Sequence, residues 1–426
     1  MRATLAILLL GAVAVAEPPA SDPDASVADA ARWVEPRGCA SGSYRSRALP
    51  VVTEIEEAWK LPFDRIDAPP VHWDGTAYFV AHVGGKPYLV AVELGTGREL
   101  AREQLRDFYA PTGVLVWDHM AMLQPDPDQI NGYRLDGSKL KLSWIFRGRQ
   151  LAGSWARPRL PTVHDNEIYC FLGDSLARLR PGTSFPSWTA DLSGPGGPRT
   201  EVTSRFVGRP AVYGPCVFAA WYGEPFQTTA GLVSNLYLTV WRRSDGQILT
   251  TESVCQAQYK ENEDPGLQLT VTEPALFVGS GWPIFASDGW ARQVILPRKG
   301  DVAFGTPGLW DSVLPPAQHD KVGALLMSKS DRYGSKDLEL CAARDGAIYC
   351  LAEEKDQPDL FRDRVTPTVL GDVVYFGSWA ADVETGEILW RLPFQHVTFP
   401  VVPADHMILV VEDGKVLRAF RGRGLK

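Results

Sequence analysis

The stretch EILWRLPFQHVTFPVV, residues 387–402, nearly repeats EEAWKLPFDRIDAPPV, residues 56–71. In both, a Trp (Trp390, Trp59) is followed by a basic residue and Leu-Pro-Phe, and a Pro (Pro400, Pro69) stands ten residues after the Trp. A chain whose two ends carry one spacing is built from a repeat whose phase returns at the end to where it began. Between the ends, short apolar or alternating runs such as TAYFVAHV, HMAMLQ, EIYCFLG, CVFAAWY, NLYLTVW, VVYFGS and MILVVE are separated by Gly, Asp and Pro. That is the pattern of strands and turns. Asp-Gly occurs six times, at Asp74, Asp136, Asp245, Asp288, Asp345 and Asp413, and supplies the positive φ angles of tight hairpins. No long helical periodicity is present, so the expected class is all-β.

Three motifs recur in a fixed order. A Pro precedes an apolar strand in PPVHWDGTAYFV, PTVHDNEIYCF, RPAVYGPCVFAA, TPTVLGDVVYFG and FPVVPADHMILV. A Gly turn leads into a strand ending in Leu in GTGREL, SDGQIL and ETGEIL, and a strand-borne Trp follows at Trp59, Trp144, Trp188 and Trp390. Together they describe a four-stranded antiparallel sheet of roughly 40 to 50 residues, the size of a β-propeller blade. Blades are expected to start near residues 70, 111, 161, 210, 268, 322, 367 and 400, with the signal faint near 268 and 322. This predicts eight blades, with seven as the alternative. The last repeat, from residue 400, supplies three strands. Its fourth is expected from TEIEEAWKL, so that an N-terminal strand closes the ring and no long sheet edge stays open.

The first residues, MRATLAILLLGAVAVA, combine one Arg, an apolar run and small residues at Ala14-Val15-Ala16, the form of a signal peptide with cleavage after Ala16; the alternative, an uncleaved anchor, is disfavoured because the run is shorter than the roughly 20 residues of a spanning helix. The expected organisation is a signal peptide at 1–16, a linker rich in Ala, Pro and Asp at 17–50, and a propeller at 51–426. The chain is then exported, to the periplasm or the extracellular space, with no transmembrane segment after signal cleavage. A net charge of −8 without a dense basic block argues against nucleic acid as a partner. Six Cys permit up to three disulfides in such a compartment, and no C-x-x-C pair exists to hold zinc. In CAARDGAIYC, a two-residue turn at Asp345-Gly346 would set Arg344 opposite Ala347 and then Cys341 opposite Cys350. Counted outward, that is a non-hydrogen-bonded pair, the kind whose side chains come closer, so a Cys341–Cys350 disulfide is expected; two reduced core thiols, or disulfides to different partners, are the alternative.

The segment AADVETGEILW, residues 380–390, resembles the repeat of the pyrroloquinoline quinone (PQQ) type: a small residue, Asp, a Thr-Gly turn and a closing Trp. DGAIYCLAEE and DGKVLRAF resemble the strand just before it. The resemblance implies a β-propeller, often eight-bladed. Its family includes quinoprotein dehydrogenases and non-enzymatic envelope proteins of the BamB type, so it speaks to architecture more than to chemistry.

A quinoprotein reading would require calcium held by carboxylate and amide oxygens, a carboxylate base, and cations on the quinone's carboxylates. The chain has no adjacent cysteines and only four Asn, and its Asp and Glu fall mostly in turns. The seven His lack metal-ligand spacing and are read as surface or blade-edge residues. The Asp-His pairs at 118–119 and 405–406 are read the same way, since strand neighbours point to opposite faces. No G-x-S-x-G elbow or P-loop occurs. No catalytic, cofactor-binding or metal residue is therefore assigned.

The 14 Trp include the repeat-borne set, expected to fill the space between blades. Trp221, Trp282 and Trp290 lie among turns and insertions and are the binding-surface candidates. The expected function is a non-catalytic scaffold, BamB-like by resemblance but without that family's lipid-anchoring Cys. It would bind a protein or polysaccharide partner in the cell envelope, as a monomer or a subunit of a complex, with no cofactor. The alternatives are a PQQ- and calcium-dependent oxidoreductase with a diverged site, and a glycan-binding propeller.

Overall fold

A computed structural model describes residues 45–46, 54–105, 113–126, 129–147, 161–172, 175–191, 206–229, 231–258, 267–272, 275–280, 291–295, 317–319, 323–329, 338–344, 347–353, 356, 365–394, 396–404 and 406–422, with the strands between 267 and 353 described chiefly by their backbone. The expected signal peptide, most of the linker, and Trp282 and Trp290 lie outside these residues.

The described strands form eight sheets, and no helix is present among them. Each sheet is a blade that runs from an inner to an outer strand. The first comprises Val71–Trp73, Thr76–Val83, Lys86–Glu93 and Glu99–Gln104; the short strand Arg65–Ile66 also pairs with its second strand. The second comprises Leu115–Trp117, Met120–Asp126, Gln129–Asp136 and Lys139–Arg147. The third comprises Thr162–His164, Glu167–Leu172, Ser175–Leu179 and Trp188–Asp191. The fourth has Phe206–Tyr213, Cys216–Tyr222, Gly231–Arg242 and Ile248–Gln258, plus an inserted strand, Phe226–Thr228. The fifth shows three strands, Leu267–Thr272, Ala275–Ser280 and Ala291–Ile295. The sixth comprises Ala317–His319, Gly323–Lys329, Leu338–Arg344 and Ala347–Glu353. The seventh comprises Thr368–Leu370, Val373–Phe376, Trp379–Asp382 and Ile388–Arg391. The starts expected from sequence fall within a few residues of these inner strands, the faint ones included.

The eighth blade takes Val402–Ala404, Met407–Glu412 and Val416–Gly422 from the C-terminal region, and its outer strand is Ile55–Pro62, antiparallel to Val416–Gly422. The phase repeat of the sequence is therefore a closing strand. Arg421 and Arg418 pair with Glu56 and Glu57 across this seam. A second N-terminal piece, Arg45–Ser46, pairs in parallel with the inner strand of the seventh blade, inside a stretch that reads as linker.

The core consists of layers between blades, as in stacked sheets. One cluster joins the eighth, first and second blades through Leu409, Leu417, Phe79, Val90, Val116 and Leu123. Others join the seventh to the eighth (Tyr375, Ile408), the second to the third (Met122, Ile168) and the third to the fourth (Leu176, Val217).

One contact explains two of the sequence motifs. Trp59, on the outer strand of the eighth blade, donates Nε1–H to the Leu94 carbonyl at 2.6 Å and packs over the first blade's Gly95-Thr96-Gly97 turn. A Cβ at Gly97 would lie 2.6 Å from the indole ring. Trp188 repeats the arrangement from the third blade onto the fourth, donating to the Arg243 carbonyl at 3.0 Å, with Gly246 beneath its ring. Trp144 donates from the second blade to Thr183 of the third at 3.1 Å. The recurring Trp and the recurring turn Gly are thus two halves of one bolt between neighbouring blades. The fourth repeat-borne Trp, Trp390, is buried against Tyr375.

Candidate functional site

The turns between inner and second strands form one rim of the propeller. Asp74-Gly75, Asp118-His119 and Asp165-Asn166 have positive φ at both positions, as type I′ hairpins require. His119 therefore sits beside Asp118 for backbone reasons, and its Nε2 approaches Asp74 of the preceding blade at 3.2 Å. Trp117 donates to Asn166 of the following blade at 2.5 Å, and Arg243 of the fourth blade reaches Asp165 at 3.0 Å. These turn-to-turn contacts tie neighbouring blades together at the surface.

Two buried carboxylates are spent on structure. Asp67, with its side chain 3% exposed, receives Arg65 at 2.6 Å on one oxygen and His82 at 2.7 Å on the other, which fixes the connection from the closing strand into the first blade. Glu167 pairs with Arg178 and accepts the Tyr169 hydroxyl at 2.7 Å. Burial, with the Glu167 hydrogen bond added, pushes the Tyr169 hydroxyl far above its ordinary value. Nothing in the sequence pattern marked either cluster, because their members come from separate strands and loops.

His72 corrects the surface reading of the histidines. It is buried on the first blade's inner strand and donates Nε2–H to the Pro403 carbonyl of the eighth blade at 2.8 Å. Thr162 makes the matching bond to Pro210, from the third blade to the fourth, at 2.6 Å. These contacts join inner strands side by side. None of the eight inner strands carries an Asp or a Glu. Among the described residues, no three of His, Cys, Asp and Glu come together in a way that could hold a metal ion.

The fourth blade departs from its neighbours. Its third strand has 12 residues, and after Tyr222 the insertion continues the course of the second strand as Phe226–Thr228, antiparallel to the first part of that third strand. The result is a hairpin that lengthens the blade at the rim opposite the Asp-Gly turns. On one face of it, Phe226 opposes Val233 and Trp221 opposes Tyr237. Alternation along the strand puts all four on the same side. The Trp221 and Tyr237 rings stack, centroids 4.6 Å apart and 19° from parallel. Trp221 Nε1 is committed to the Thr239 hydroxyl at 2.8 Å. A Cβ at Gly223 would meet the Tyr237 ring at 2.7 Å, so glycine is what lets the stack close. Ser234 donates to the Gly223 carbonyl at 2.8 Å and holds the turn against the strand. Trp221 and Tyr237 are half-buried, while Phe226 is 39% exposed.

Of the three sequence candidates, Trp221 thus belongs to an ordered aromatic strip. Tyr237 and Phe226 join it through cross-strand pairing that sequence spacing alone does not reveal. The one available signal was the insertion AAWYGEPF between two strong strands.

A ring-like succession of antiparallel sheets, bolted by Trp on turn Gly and sealed by an N-terminal strand, is a β-propeller. Residues 53–255, from the closing strand to the outer strand of the fourth blade, match the family described as outer membrane protein assembly factor BamB. That match, over a little under half of the chain, supports a propeller built from PQQ-like repeats. It resembles the crystal structure of BamB from Moraxella catarrhalis (12% identity, TM-score 0.54, covering 88% of this chain and 99% of that one). It also resembles quinohemoprotein alcohol dehydrogenase from Comamonas testosteroni (11%, 0.58, 93% and 81%) and a europium-containing methanol dehydrogenase (11%, 0.52, 92% and 98%). At these identities the likeness is one of fold. No curated protein matches the sequence significantly.

Proposed function

We propose that this protein is an exported, non-catalytic propeller scaffold that binds a protein partner in the cell envelope, in the setting of outer-membrane protein assembly. The observation that carries the reading is the aromatic strip on the fourth blade's extended hairpin. It is rigid, apolar, raised above the rim and partly exposed, as the anchor of a protein interface is. The family match adds the envelope setting. The Trp221 N–H is already bonded within the blade, so the strip offers ring faces and aliphatic edges. Ring faces of this kind suit the apolar side chains of a peptide segment.

A photo-crosslinking residue placed at Phe226, in the envelope of the native host, should trap a component of the outer-membrane assembly machinery, identified by mass spectrometry. The same residue at Ile388, exposed on the seventh blade, should not, and Tyr237→Ala should weaken the adduct at 226. Equal labelling at both positions, or none, overturns the reading.

The quinoprotein alternative is supported by fold likeness to two dehydrogenases and is tested separately. Tight binding of PQQ with calcium would raise stability by about 2.7 kcal/mol at a hundredfold excess over Kd. The scaffold reading expects no calcium-dependent shift in melting temperature.

A further inference from the structure

The six cysteines are not equivalent. Cys170 and Cys216 are buried free thiols in the third and fourth blades. Burial drives Cys170 far above the ordinary thiol range and Cys216 up to about 11, which leaves both unreactive. Cys255, on the fourth blade's outer strand, stands opposite Leu236, and Cys39 lies outside the described residues. That leaves Cys341 and Cys350 on the sixth blade, directly opposite each other in backbone register. Among the described cross-strand pairs, theirs is the one that joins two cysteines.

The register is set by the turn. Arg344 pairs with Ala347, Ala343 with Ile348 and Ala342 with Tyr349, so two residues, Asp345 and Gly346, connect the strands. In such a hairpin the closing pair exchanges hydrogen bonds and the pairs then alternate. Cys341–Cys350 is the fourth pair, a non-hydrogen-bonded one, with Cα atoms about 4.5 Å apart, within the span a disulfide bridges. The register slips just beyond, between Leu340 and Cys341, so the cysteine pair is the last that the turn alone fixes. Cys350 also lies on the outer strand, at the edge of its sheet.

We infer that Cys341 and Cys350 form a cross-strand disulfide that pins the outer strand of the sixth blade. Formation rests on the export reading, because it needs an oxidising compartment. A thiolate of the pair attacks the disulfide of a thiol–disulfide oxidant. The second thiolate then attacks the pair's own sulfur in the resulting mixed disulfide and displaces the oxidant's thiolate, so that the oxidant leaves as a dithiol with the two electrons and the two protons that the pair gives up.

Tryptic cleavage at Arg344 separates the two cysteines, onto peptides 337–344 and 345–355. The full chain, purified from an oxidising compartment, alkylated without reduction and digested, should yield these two peptides linked. Cys341→Ser should make Cys350 alkylatable, and Cys350→Ser the reverse, with no change at Cys170 or Cys216. A chain purified reduced and then exposed to oxidised glutathione should form the same link. Linkage in glutathione but not in the cell would support the pair and remove the export reading. Two separately alkylated peptides after glutathione treatment, or a link from either one to Cys39 or Cys255, overturns the inference.

Discussion

Gly75 and Gly97 have nearly the same backbone, φ +73° and +72°, but only Gly97 faces an aromatic ring. A left-handed φ costs a non-glycine residue roughly 1–2 kcal/mol. Gly75→Ala should therefore lose about that much, with nothing within 4 Å of the new methyl. Gly97→Ala should lose roughly 1–3 kcal/mol more, because the methyl drives into Trp59. Urea unfolding of the two variants isolates the ring contact, and equal losses would show that the bolt is loose. Trp59→Ala, which removes the ring from its buried seat, should cost about 3–5 kcal/mol in the same assay.

At the scale of elements, the contact between the third blade's first turn and the fourth blade's Arg243-to-Gly246 turn has a pH signature. The hydrogen bond from the His164 ring, and then the charges of His164 and Arg243, lower the Asp165 carboxyl from 3.8 to about 2 against a partial burial that acts the other way. Because the folded value is the lower one, the contribution is fully present above the unfolded value near 4. It is lost as pH falls through about 2. The carboxylate is more than half exposed, so solvent screening holds the effect below about 1 kcal/mol. Wild type should lose slightly more stability than Asp165→Asn between pH 4 and pH 2. Parallel melting curves over that window would show that the contact is energetically silent.

For the whole molecule, the seam between Ile55–Pro62 and Val416–Gly422 decides whether the chain is a ring. A protein starting at Val51 keeps that seam. One starting at Phe63 exposes an unpaired edge on the eighth blade and loses the Trp59 bolt, and exposed edges recruit other strands. The Val51 form should elute as the full-length chain does, whereas the Phe63 form should oligomerise or aggregate. A synthetic peptide of residues 51–62 should restore its elution volume. Indistinguishable melting of the two truncated forms would remove the closing role.

Repeat phase, strand alternation and turn chemistry are local, and they determined the all-β class, the positions of the inner strands, the closing strand and the two-residue turn that sets Cys341 against Cys350. Each depends on residues close in the chain, or on the same short pattern recurring, so a linear reading recovers it. Tertiary structure alone decided the rest. Trp59 meets Gly97, His72 reaches Pro403 and Trp221 stacks on Tyr237 because strands distant in sequence or separated by an insertion are brought alongside, and only the register of that packing chooses the partner. The same applies to Asp67 and Glu167. A carboxylate in a sequence carries no sign of whether it will take a substrate's proton or be consumed by an arginine. That choice is made by which side chains the closed ring brings within hydrogen-bonding distance.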